Sequence, residues 1–215
     1  MDLLGWWLDI SLKVLGISYR LILWNSFLAL IPLVLSVWLF RIAERRSPVW
    51  WVLLAIFIVF LPNAPYILTD IIHYIKIIQK EIPESVAIFA LTPQYFLYLN
   101  LGWQCYVMSI LNLGYYLESR QQSQWILPAE LLAHFLSAIG IYLGRFLRFN
   151  SWDFIRVPDK LAEELAATLS HKQPILAIIL TFLILTGLYW ITKQINLGLV
   201  LRFQDHQRSS RFLEK

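Results

Sequence analysis

Polar and apolar positions divide this chain into long blocks, not into the short alternations of a soluble fold. Residues 21–40, 47–69, 85–117 and 173–192 contain no Asp, Glu, Lys, Arg or His, and a fifth stretch, 126–144, is interrupted only by Glu130 and His134. A helix crossing a hydrocarbon layer of roughly 30 Å needs about 20 such residues. The pattern predicts an all-α fold, a polytopic transmembrane helix bundle of about five spans near 21–40, 48–62, 86–112, 126–147 and 174–192. Residues 1–20 then form an N-terminal interfacial segment, 21–192 the transmembrane bundle, and 193–215 a polar C-terminal tail.

The flanks carry their own patterns. Leu3, Trp7, Ile10, Val14 and Ile17 share one helical face, with Asp2, Asp9 and Lys13 elsewhere, which suits a helix lying in the interface or an extension of the first span. Between spans four and five, Pro158 and Asp159 can start a short surface helix with Leu161, Leu165 and Leu169 on one side. The tail from Arg202 to Lys215 is mixed in charge and reads as a frayed, solvated end.

Composition excludes a water-soluble domain: 59% of the 215 residues are apolar and 15% charged, against about 45–50% and about 25% in soluble chains. Ten Trp and ten Tyr gather near span ends, at Trp50, Trp51, Trp125, Trp152, Tyr189 and Trp190, where amphipathic rings favour the headgroup level. Net charge is +4, and with five spans the Lys and Arg residues divide nine to nine between the two sides. The short Arg41, Arg45, Arg46 cluster, set against Arg145 and Arg148 read as helix-borne, places the C-terminus in the cytoplasm of a cell (inner or plasma) membrane. A single cysteine, Cys105, allows no intrachain disulfide and no thiolate metal cluster. No cofactor, metal or nucleic-acid partner is expected.

Membrane helices associate through small and polar residues, so these sort the spans. Asn25, Ala29, Pro32 and Ser36 share a face of the first. The third holds Thr92, Pro93, Gln94, Asn100, Gln104 and Asn112; at about 50 Å if wholly helical it should bend near Pro93 or project into water. The last offers only Thr181, Thr186 and Gly187, a peripheral pattern.

In the fourth span Glu130, His134, Ser137, Ile141, Arg145 and Arg148 form one stripe. Ionisable groups at membrane depth face the bundle interior or a wet cavity. Glu130 and Arg145 stand about 22 Å apart on such a helix and need separate partners. Glu130 and His134 read either as a pair near the interface or as a relay or ligand site.

The second span ends in Leu61-Pro62-Asn63-Ala64-Pro65-Tyr66, where two prolines interrupt the helix and Asn63 can cap a new one. Beyond it Thr69, Asp70, His73, Lys76 and Lys80 take one side of an amphipathic helix and isoleucines the other. The free N–H groups at its start would suit an anion; a plain interfacial helix is the alternative. Loops after spans two and four emerge on the same side. Asn63, Asp70 and His73 can therefore meet Arg145, Arg148, Asn150, Ser151, Trp152 and Asp153, with Asp70 and Asp153 as partners for the two arginines.

These two segments, Leu61 to Tyr66 with Thr69, Asp70 and His73, and Gly144-Arg145-Phe146-Leu147-Arg148 with Asn150-Ser151-Trp152-Asp153, resemble the signature segments of a bacterial membrane family, domain of unknown function family 1361 (DUF1361), over about residues 21–192. The resemblance implies a multi-pass bacterial membrane protein and no particular chemistry. Three classes of function follow from the residues. One is a non-enzymatic module binding an anionic lipid headgroup, a small anion or a membrane-protein partner, in transport, envelope assembly or signalling. Another is an enzyme acting on a lipid or phosphate-bearing substrate, with His73 as acid or base and Asp70 or Asp153 orienting it. The third is a purely structural ion-pair network.

Overall fold

The computed structural model describes residues 3–80 and 82–213. Asp2 and Lys215, named above in the two flanks, lie outside the described residues. The described residues are helical apart from short connections, with no strand among them. Five long helical segments alternate in direction. α1 (Leu3–Val37) ends in a π turn, Trp38–Ile42. α2 (Pro48–Phe60) leads into the single turn α3 (Asn63–Tyr66), a 3-10 turn Ile67–Asp70 and α4 (Ile71–Ile78). α5 (Glu84–Val86) passes through a π turn, Ala87–Leu91, into α6 (Thr92–Ser119). α7 (Ile126–Arg145) returns, α8 (Asp153–Arg156) and α9 (Pro158–Leu169) cover the connection, and α10 (Lys172–Leu213) completes the chain.

Side-chain bonds fix the directions. α1 and α6 run parallel, tied in order by Ser18 to Tyr95 at 2.8 Å, Ser36 to Asn112 at 3.0 Å and Arg46 to Tyr116 at 2.7 Å. α7 runs against both α6 and α10: its His134 meets Tyr106, and its Glu130 meets Tyr189 and Lys193. Four segments, Leu4–Ile42, Pro48–Ile78, Ser123–Arg145 and Lys172–Arg202, are long and apolar enough to cross a membrane. The third expected span, now α6, falls short of that apolarity because it stands at the centre. Tyr98, Trp103, Tyr106, Ile110 and Asn112 are buried on it, and their polar atoms bond to neighbouring helices instead of meeting lipid.

Several sequence expectations change here. The N-terminal segment is continuous with the first span, and its packed face is Trp7, Ser11, Val14 and Ser18, set on α5 and α6. Trp7 Nε1 donates to Ser85 Oγ, while Ile17, on the same apolar face by spacing, is 56% exposed. Near Pro93 the helix departs from α geometry in the π turn that precedes α6, Pro93 stands in the first turn of α6 where a missing N–H is tolerated, and Thr92 Oγ1 donates to the Ala87 carbonyl at 2.8 Å. The tail, expected to fray, is helical to Leu213. On α9 Leu161 is buried, and the Leu165 and Leu169 side chains lie outside the described set. α10 is peripheral as expected, with Leu176, Leu183 and Trp190 facing outward, yet it contributes Tyr189 and Lys193 to the interior.

Candidate functional site at one end of the bundle

The interruption after α2 is built by its prolines. Pro62 and Pro65 have no N–H, so the Leu61 carbonyl accepts from Ala64 N at 3.2 Å and the Pro62 carbonyl from Tyr66 N at 3.0 Å. Asn63 is not the helix cap. Pro62 holds that position, and Asn63 Nδ2 instead donates backward to the Phe60 carbonyl at 2.9 Å and outward to Ser151 Oγ at 2.7 Å. The N–H groups of Ala64 and Tyr66 are thus taken up within the turn, and Pro65 has none to offer.

Glycines let neighbouring helices close on this segment. A Cβ on Gly102 of α6 would stand 2.7 Å from Ile67 Cβ and 2.9 Å from the Ala64 carbonyl oxygen, and one on Gly140 of α7 would stand 2.5 Å from Pro62 Cβ and Cγ. Nothing larger than glycine fits without movement on either side. The turn is therefore wedged between α6 and α7, which brings Asp70 into the interior.

Asp70 is 1% exposed. Its Oδ2 accepts from Tyr98 OH of α6 at 2.6 Å and from Asn25 Nδ2 of α1 at 2.8 Å. Its Oδ1 faces Arg145 Nη1 at 3.6 Å and His73 Nε2 at 3.8 Å. Arg145 Nη2 also donates to the Thr69 carbonyl at 3.2 Å. Side chains from α1, α4, α6 and α7 thus converge on one carboxylate. Four isoleucines of α4, Ile71, Ile72, Ile75 and Ile78, are 41–47% exposed, and the fifth, Ile77, is buried. From Asp70 to Lys80, Asp70 and Ile77 are the buried residues, while Lys76 and Lys80 are exposed, so the helix lies with polar and apolar side chains both on its open side.

Beside this cluster lies a cavity of about 420 Å³, whose walls include Asn63, Asp70, His73, Arg145, Arg148, Asn150 and Ser151. Seven of the nine residues expected at the site share it. Trp152 and Asp153 do not. Trp152 packs edge-on against Trp24, ring centroids 6.4 Å apart, and Asp153 Oδ2 accepts from the Asn150 N–H at 2.7 Å, bracing the loop. Asp153 is therefore no partner for either arginine. Nor does it orient His73, whose one carboxylate neighbour, Asp70, stands beyond hydrogen-bond length.

Arg148 is the odd member. It follows the end of α7 in a left-handed conformation, φ 60°, while Phe149 N bonds back to the Leu143 carbonyl at 3.1 Å. Left-handed backbone at a residue other than glycine costs about 1 kcal/mol or more. Among the described residues Arg148 has no ion pair and no hydrogen bond.

Glu130 and His134 lie toward the opposite end and do not pair with each other. Glu130 Oε1 accepts from Lys193 Nζ at 2.6 Å and Tyr189 OH at 2.7 Å, and His134 Nδ1 bonds Tyr106 OH at 2.7 Å. Both are buried, at 7% and 1% exposure, so neither reaches toward water. Among the described residues no group of three His, Cys, Asp or Glu side chains could hold a metal ion.

Sequence reasoning missed Asn25, Tyr98 and the two glycines. Asn25 was visible as a polar residue on the small face of the first span; Tyr98 carried no signal among ten tyrosines.

Fold and site together define a helical membrane protein with a polar cavity at one end of its bundle. The chain belongs to the family described as a protein of unknown function (DUF1361), whose model matches residues 24–186. No curated protein and no solved structure matches it.

Proposed function

We propose that the protein is a non-enzymatic, multi-pass module of the cell membrane that holds an anionic group in the cavity at one membrane face, serving transport, envelope assembly or signalling. Arg148 is the primary cation. Arg145, held by Asp70 and the Thr69 carbonyl, supplies a second guanidinium, and Asn63, His73, Asn150 and Ser151 form the polar rim. The observation that carries this reading is the charge balance. Asp70 is the one carboxylate lining the cavity, its oxygens are engaged by Tyr98, Asn25 and Arg145, and Arg148 is left over. Arg148 is exposed at the mouth of the cavity, past the end of α7, so its guanidinium stays free to take a ligand where a purely structural network would engage it. With the C-terminus cytoplasmic, the cavity opens on the outer side.

The test is mass-spectrometric identification of anions and lipids that co-purify with wild type and with Arg148→Gln. An anionic species held by wild type and lost from the folded variant is expected. The same species on both proteins, or none on wild type, would defeat the reading. A reporter fused after Lys215 should be cytoplasmic, and proteolysis of the tail only from outside intact cells would reverse the orientation.

A further inference from the structure

The cavity has two chemically distinct halves. Its polar half lies at the membrane face and holds Arg145, Arg148, Asn150 and Ser151. Its other half is walled by Leu28 of α1, Ile58 and Val59 of α2, and Leu136 and Ile139 of α7. From Arg145 to Leu136 is nine residues, so the apolar half extends about 14 Å inward along α7. Two of the wall residues are also exposed on the outside of the bundle, Trp24 at 53% and Ile58 at 41%. The cavity therefore opens sideways through the flank of the bundle as well as at its end.

We infer that the anion is the phosphate of a lipid, with the headgroup at Arg148 and Arg145 and one hydrocarbon chain lying inward between α1 and α7. This rests on the anion-binding reading above and adds the class of ligand. A small hydrated anion would occupy only the polar half. The cavity is the size of roughly a dozen water molecules, and its apolar walls have nothing to offer water. A hydrocarbon chain removes those walls from contact with it. The donors at the polar half suit an oxyanion with several oxygens. Arg148 has its whole fork free, and Ser151, which accepts from Asn63 Nδ2 at 2.7 Å, keeps its own O–H to donate. The lateral opening lets the ligand enter from the bilayer with its chain leading, without crossing water.

The experiment uses the full chain in detergent, offered dioleoyl phosphatidylglycerol, dioleoyl phosphatidylcholine and glycerol phosphate, with bound species counted by native mass spectrometry. Wild type should retain phosphatidylglycerol at least about tenfold better than phosphatidylcholine, as expected when a charge-assisted hydrogen bond is at stake. Glycerol phosphate should bind far more weakly. Leu136→Trp, which fills the apolar half, should cut phosphatidylglycerol retention about tenfold and leave the weak glycerol phosphate binding unchanged. Leu28→Trp does the same from the α1 side and stands in if the first variant melts early. Glycerol phosphate binding as tightly as the lipid, or lipid retention unmoved by either tryptophan in folded protein, would overturn the lipid assignment and leave anion binding standing. Loss of Arg148 dependence for every probe would remove both.

Discussion

Asp70 and Glu130 are both carboxylates buried within the bundle, and their surroundings differ in one respect that separates the two ends of the molecule. Glu130 is closed: Lys193 and Tyr189 of α10 fill its Oε1, one positive charge answers one negative, and it lines no cavity described above. Asp70 is better supplied, with donors from α1 and α6 and guanidinium from α7, yet its neighbourhood holds a second arginine that it does not bind. One end locks helices together, and the other carries an exposed arginine without an ion pair among the described residues, beside an open volume. Burial of charge alone distinguishes neither, since structural pairs are buried too.

The largest effect tests the closed end. Lys193→Ala leaves Glu130 buried without its counter-ion and should destabilise the protein by about 3–5 kcal/mol, read as an early thermal transition in detergent. Combining Glu130→Gln with Lys193→Met should recover most of that loss, because a buried pair replaced as a unit is often neutral. A double variant as unstable as the single one would mean that Glu130 and Lys193 do more than cancel each other.

Next in size is the wedge that carries Asp70 inward. Gly140→Ala places a methyl within 2.5 Å of the Pro62 ring, and overpacking of this kind costs about 1–3 kcal/mol. The anion cavity, which shares Pro62 and Gly140, should be lost with it. Gly187→Ala meets nothing within 4 Å and serves as the control. Equal melting of the two variants would show that the turn is not held between α6 and α7 as described.

His73 should be nearly silent in stability. It is about two-fifths exposed at 39%, and its approach to Asp70 is 3.8 Å, so His73→Gln should cost at most about 1 kcal/mol. A larger loss would make it a member of the structural network around Asp70. A small one with altered anion retention would keep it at the cavity rim.

How far the sequence reaches follows from the same residues. Charge-free windows locate helices well, because the cost of burying charge in hydrocarbon acts on every residue of a span. The same rule errs at Lys193, which it assigns to the tail because the window ends at 192, although the residue belongs to the Glu130 pair. Asn63, Asp70, His73, Arg145 and Arg148 were legible as a group because two loops on one side of a bundle must meet. Which arginine each carboxylate takes was not, since that depends on the rotation of α7 and on local turns: Asp153 spends its oxygen on the Asn150 N–H. Asn25 and Tyr98 depend on helix rotation as well, which composition does not encode. The prolines announced an interruption, but the cap assigned to Asn63 failed because Asn63 stands inside the turn and bonds backward.

The smallest expected change in stability has the opposite sign. Arg148 occupies a left-handed backbone conformation that glycine adopts without cost, and it has no bond to a described residue that a substitution would break. Arg148→Gly should therefore raise stability by about 1 kcal/mol, a shift of a few degrees in the melting transition, while removing anion retention. Arg148→Lys keeps the charge and the backbone conformation but loses the planar fork, so it should melt like wild type and bind the anion more weakly. The comparison between the two ends turns on this pair of results. A residue that lowers stability and whose removal costs only binding is maintained for the ligand, as strained sites are. If Arg148→Gly instead melts earlier than wild type, the arginine is supporting the loop, and the open end is structural in the same sense as the closed one.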